Sequence, residues 1–188
     1  MNHSKVYTMR YLTIIVFFAL ALASCKPAFV RKGLKEIKGE RERLMEDYDH
    51  FTSLDTAQVR GVWKSYFSKI DSINTYFNDQ YSDGAWKLMT AFGQIKGSLK
   101  GYVEGADNVN DSYIYSLQQL ADLERDLKGK LISKEQYLIY MKSEKNANDK
   151  LIVKSKMIVD NASRGINQYN ELSPKIDSLI IVFKSGLE

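Results

Sequence analysis

The chain has 188 residues but only one cysteine, Cys25, two prolines, Pro27 and Pro174, and two histidines, His3 and His50. Each scarcity removes a class of explanation. A single cysteine cannot form an internal disulfide. Proline removes a backbone donor and clashes with the preceding turn, so its absence between 27 and 174 leaves nearly that whole span free to be helical. No alternating strand pattern of useful length occurs. The 27 basic and 23 acidic residues are mixed along the chain, without the basic stripe that nucleic-acid binding needs.

The chain has one uncharged run of note, at its start. Lys5 and Arg10 precede it without an acidic residue, and Tyr11 to Ser24 then run 14 residues without a charge. At ~1.5 Å per residue this makes about 21 Å of helix, short for the roughly 20 residues of a permanent membrane span. A basic start, a short apolar run and small residues at its end describe a secretory signal peptide. The expected division is therefore a signal at 1–24 and one domain at 25–188. Removing 24 residues leaves 164, enough for a single core, with 25 basic and 23 acidic residues and a formal charge of +2.

The run ends in Leu22, Ala23, Ser24 and Cys25. This resembles the lipobox of bacterial lipoproteins, in which small residues precede a cysteine that becomes acylated as the signal is removed. The resemblance covers only the first 25 residues. It implies that Leu22, Ala23 and Ser24 are the recognition residues and Cys25 the lipidated one, anchoring the chain to a bilayer. In many such lipoproteins an aspartate after the cysteine causes retention at the inner membrane. Lys26 stands there instead, so the resemblance implies an outer-membrane protein facing the periplasm.

After Cys25 apolar residues recur with helical period. The first segment has Val30, Leu34, Ile37, Leu44, Tyr48 and Phe51, interrupted by Arg41. The second has Val59, Trp63, Tyr66, Ile70, Ile73 and Phe77, and the third Leu88, Phe92, Ile95, Leu99 and Tyr102. Tyr113, Leu117, Leu120, Leu123 and Leu127 follow, and similar runs continue to Phe183. Asp55 with Gln58, and Ser133 with Gln136, have capping-box spacing. Ser173 before Pro174 reads as a further helix start. Residues 78–84 and 105–112 read as polar breaks, and the polar stretch 142–150 as either a bend or an exposed turn of a long helix. The expected fold is all-α, an antiparallel helical bundle of five or six helices with short connections.

Constellations for catalysis are scarce. After the signal only His50 and an acylated Cys25 remain, which excludes a Cys–His dyad or a His-rich zinc site within one chain. Asp47 or Glu46 with His50 has helix-face spacing, best read as a solvated helix end. Calcium-loop counts from Asp79 and Asp107 fail at the required ligand positions, so both stretches read as turns. Ten tyrosines follow the signal, among them Tyr113, Tyr115, Tyr137 and Tyr140, with Trp63 and Trp86. Most fall on the helical period and are expected at the margin of the core rather than in a glycan or peptide platform.

Four glycines, Gly93, Gly97, Gly101 and Gly105, are spaced by four. No phosphate-loop pattern is present, and Lys96, Lys100 and Glu104 exclude a membrane-packing helix. The stripe lies away from Phe92, Ile95, Leu99 and Tyr102. It is expected to be a tolerated weak face, at about 0.8–1 kcal/mol per glycine, with a close-contact face as the alternative. The functional expectation is a lipid-anchored envelope protein, not an enzyme, with a structural or protein-interaction role, an unidentified envelope partner and no cofactor. The alternative is a periplasmic module holding a small ligand, peptide or glycan between its helices.

Overall fold

The computed structural model describes residues 28–77 and 82–186. Within them are five helices: α1 (Ala28–Ser53), α2 (Thr56–Tyr76), α3 (Asp83–Gly93), α4 (Ile95–Lys128) and α5 (Lys134–Ser185). The fold is all-α, as the periodicity predicts. The lipobox residues Leu22, Ala23, Ser24 and Cys25 lie outside the described residues.

The five helices make three layers. Along α1 and α2, contacts with α5 advance in step: Glu40 meets Asn148 at 3.0 Å, Asp47 meets Lys156 at 3.4 Å, and Ser65 meets Tyr169 at 2.5 Å. Both helices therefore run parallel to α5, one after the other. The return layer is α3 and α4. It is antiparallel to the others, with Leu99 beside Gly165 and Ile158 beside Gly101. The bundle is an up–down–up rod. Its α5 edge, 52 residues in one helix, is about 78 Å long at ~1.5 Å per residue.

Local chemistry explains where the layers break. Asp55 caps α2, its carboxylate accepting from the backbone N–H groups of Ala57 and Gln58 at 2.8 and 3.2 Å. The break exposes the Leu54 carbonyl, which accepts from the Tyr102 hydroxyl at 3.4 Å, while Thr56 pairs with the same hydroxyl at 3.0 Å. A helix end beside a core needs such partners, because an unpaired buried carbonyl is costly. At Gln94 the return layer breaks by a single residue, with the Gly97 N–H bonding its carbonyl at 3.1 Å. Ser133 and Gln136 form the expected capping box at the start of α5.

Two expected features differ. Residues 105–112 are not a break: α4 runs straight through them, because Ala106 and Val109 keep the buried spacing despite polar neighbours. Asp107 is accordingly a helix residue, paired with Arg60 at 3.3 Å, and not part of a turn. Pro174 does not start a helix but lies inside α5. Both Pro174 and Asn170, whose carbonyl loses its partner, face solvent, so water can satisfy that group. The stretch 142–150 is continuous helix, the long-helix reading of the two its composition allows.

The core is one seam. Buried residues of α4 follow steps of four and three without exception: Ile95, Leu99, Tyr102, Ala106, Val109, Tyr113, Ser116, Leu120, Leu123 and Leu127. In α1 they are Val30, Gly33, Ile37, Glu40, Leu44, Asp47 and Phe51. This is heptad spacing, which keeps one edge of each helix against its neighbours over many turns. Every second seam position of α1 is glycine or acidic.

Candidate functional site

The acidic seam positions generate the most elaborate side-chain chemistry in the molecule. Asp47 and Glu40 are each only 6% exposed. Asp47 accepts a hydrogen bond from the Tyr113 hydroxyl on α4 and faces Lys156 on α5. Glu40 accepts from Asn148 on α5 and from Arg43 at 2.7 Å, and Arg43 also reaches Asp149 at 2.8 Å. One turn before Glu40, Glu36 accepts from Tyr137 at 2.8 Å and pairs with Lys145. Arg41, which interrupts the apolar pattern, crosses instead to Glu124 on α4.

These groups form clamps between helices. Burial pushes the Tyr113 phenol well above its ordinary value, and its bond to Asp47 pushes it further. Burial and the bond to Glu36 do the same for Tyr137. Both phenols therefore stay protonated and donate. The Lys145 ammonium holds the Glu36 carboxyl below the usual carboxylate range, and Lys128 holds Glu124 low in the same way. Ser155 is buried beside the Tyr113 hydroxyl. The Asn148 side-chain oxygen is buried without a hydrogen-bond partner. Such a group carries a desolvation cost of roughly 1–3 kcal/mol.

Two grooves flank this network. A groove of about 290 Å³ is lined by Arg43, Glu46, Asp47, His50, Ile152 and Lys156. It gathers the Asp47, Glu46 and His50 constellation. Asp47 is not at a solvated helix end, as its spacing suggests; its carboxylate turns inward because it occupies a seam position. His50 is exposed. A second groove, about 540 Å³, lies between α4 and α5 over Tyr115, Ser116, Glu144, Ala147 and Leu151, with Lys150 and Lys154 at its edge. Burial raises the Glu144 carboxyl above its ordinary value. Among the described residues no group of three or more His, Cys, Asp or Glu side chains is disposed to hold a metal ion.

The glycine stripe is divided by the break at Gln94, so Gly93 closes α3 while Gly97, Gly101 and Gly105 belong to α4. A methyl group added at Gly93, Gly97 or Gly105 would meet nothing within 4 Å, and at Gly101 it would make ordinary contact with Ile158 at 3.6 Å. Among the described residues the stripe makes no close contact. The close approaches occur at two other glycines. A methyl at Gly33 would lie 2.7 Å from Leu127, and one at Gly165 2.9 Å from Leu99 and 3.0 Å from the Ser98 Cβ. Their signal in the sequence is position: Gly33 falls three after Val30 and four before Ile37 on the apolar period.

The tyrosines divide between core and surface. Tyr102, Tyr113 and Tyr137 are buried, Trp63 packs against the core, and Tyr115, Tyr140 and Trp86 are exposed. No helix among the described residues is long and apolar enough to cross a membrane. No protein-family model, curated protein or solved structure matches this chain.

Proposed function

We propose that the protein is a lipid-anchored rod of the cell envelope, a non-catalytic spacer or scaffold that holds an interaction surface away from the membrane to which acylated Cys25 tethers it. The observation that supports this reading is the seam. A bundle that stores a ligand between its helices opens them around a pocket. Here the three layers close on one another along α5, and Gly33 and Gly165 draw helices together where side chains would part them. The two grooves open at the edges of the seam, where Asp47 and Ser116 form part of their linings, and do not part the helices along it. The lipobox resemblance supplies the tether, and outer-membrane placement facing the periplasm follows from Lys26 by the same analogy.

Crosslinking in intact envelopes, followed by capture of the lipidated protein, tests the role. A recurrent envelope protein is the expected result. A bound glycan or small molecule would favour the ligand-holding module instead. Mass spectrometry of the mature N-terminus tests the tether: acylated Cys25 is expected, and an unmodified cysteine or cleavage elsewhere would defeat it. In the Cys25→Ala variant, lipid attachment and lipoprotein processing are expected to be lost.

A further inference from the structure

One end of the rod differs from the rest of the surface. Gly33 packs against Leu127 and Tyr137, so the first turns of α1, the end of α4 and the start of α5 lie together. Residues 28–35 and 128–134 contribute six cations, Arg31, Lys32, Lys35, Lys128, Lys130 and Lys134, and no acid. Lys128 is paired with Glu124 at 2.5 Å. Among the described residues the other five make no ion pair within 4 Å, although Glu36 lies within the field of Lys32 and Glu135 within that of Lys134.

The turn between α4 and α5 presents an apolar residue in the middle of this charge. Lys130 is the only non-glycine residue with positive φ among those described, at 58°. Its N–H bonds the Leu127 carbonyl at 3.4 Å, and the Leu131 N–H bonds the Asp126 carbonyl at 2.9 Å. This is the paired hydrogen-bond pattern that ends many helices, with glycine usual at the left-handed position and an apolar contact from the next residue back to the helix. Here lysine takes the left-handed position. The residues that Leu131 would fold back onto are Arg125 and Asp126, and Leu131 stays 71% exposed. Leu138 and Ile139, just inside α5, are exposed as well.

This end is also the tethered one. Ala28 is three residue steps from Cys25, and at ~3.6 Å per step these reach at most about 11 Å. Resting on the lipid-anchor reading, we propose that the α4–α5 turn docks on anionic phospholipid, with Leu131 entering the headgroup boundary and Lys130, Lys134, Arg31, Lys32 and Lys35 facing the phosphates. Charge complementarity and the short tether select a lipid surface as the occupant. Polybasic segments next to an anchor gain attraction from anionic lipid, and apolar side chains at that depth gain burial. The rod then stands on its end. Its far tip, near Ile181, lies about 70 Å along α5 from Lys134 at ~1.5 Å per residue.

The test uses the full lipidated protein, with Leu131→Cys or Ile181→Cys labelled by an environment-sensitive fluorophore. Acylation of Cys25 leaves the introduced cysteine as the sole thiol. In protein-free vesicles of phosphatidylcholine with about one-third phosphatidylglycerol, iodide should quench the label at 131 several-fold less than the label at 181. Protection should fall when Lys130 and Lys134 are both changed to Glu, or when phosphatidylglycerol is omitted. Lys130→Gly separates docking from folding: it relieves the left-handed lysine, so it should raise thermal stability while weakening protection. Equal quenching at the two sites with Cys25 shown to be acylated overturns the docking alone. Protection seen only in native envelopes overturns it in favour of a protein occupant. An unacylated Cys25 removes the premise and overturns both readings.

Discussion

The two halves of the rod are held together by different chemistry. In the half built on α1, three acidic side chains enter or border the seam, and each is clamped from α5: Glu36 by Lys145 and Tyr137, Glu40 by Asn148, and Asp47 by Lys156, with Tyr113 of α4 adding its hydroxyl. In the half built on α2 the buried positions of that helix are Val59, Tyr66 and Ile73, with no acidic side chain among them, and aromatic rings pack about Tyr66. Tyr66 stacks on Phe92 at 5.1 Å, Phe92 meets Tyr169 at 6.0 Å, and Trp63 meets Phe67 edge-on at 4.9 Å. Apolar burial is non-directional and tolerates a shift of register. A buried carboxylate does not, because sliding α1 by one turn would leave it unpaired. Polar residues at coiled-coil seam positions fix register in this way, at a cost in stability. The α1 half therefore sets the alignment, and the α2 half contributes bulk.

The sharpest way to break this contrast is Asp47→Ala. It strips the buried Tyr113 hydroxyl of its carboxylate and should cost about 2–3 kcal/mol in urea denaturation, less than a fully buried ion pair because Lys156 reaches solvent. Tyr66→Leu in the aromatic half removes packing but leaves no charge behind, and should cost about 1–2 kcal/mol by the same measurement. If the two losses were reversed in order, the division of labour would fail.

A second comparison sets tight glycines against open ones. Gly165→Ala should cost about 1–3 kcal/mol, because the new methyl meets Ser98 and Leu99 across the α4–α5 contact. Gly97→Ala with Gly101→Ala should instead stabilise, by up to ~1 kcal/mol per site, since neither methyl clashes and alanine favours helix. Melting temperatures of the two variants should move in opposite directions.

The smallest expected effect is on pH. Glu36 and Glu124 are held low by lysine partners, so their contribution is complete above the ordinary carboxyl range and disappears as pH falls through their lowered folded values. Glu144 is raised by burial and acts oppositely: it favours the fold when protonated, and that contribution is lost as pH rises through its folded value. A pH series of thermal melts should show the decline at the acid end reduced in Glu36→Gln and Glu124→Gln.

The aromatic half was legible in the sequence because its core obeys the rule used to find it. Val59, Tyr66 and Ile73, read off the apolar period, are the buried residues of α2. The α1 half was only partly legible. Its seam passes through Gly33, Glu40 and Asp47, and a hydrophobic-period reading skips such residues and substitutes Leu34 and Tyr48, which are half-buried. The caps at Asp55 and Ser133 are local chemistry and could be read directly. Pro174 and the polar stretch 105–112 misled because local helix-breaking signals yield to tertiary burial: Ile176 and Val109 hold their turns in the seam. The three-layer path was not legible either, because the end of a helix does not say whether the chain turns back, as it does after Tyr76, or carries on, as it does after Ser53.

The rod itself is tested most directly by small-angle X-ray scattering from the chain beginning at Lys26. A body about 78 Å long has a radius of gyration of about 24 Å, whereas a compact domain of this size has about 15 Å. The three-layer seam predicts the larger value at every protein concentration. A radius near the smaller value would mean that the layers fold back on one another, and would contradict the rod.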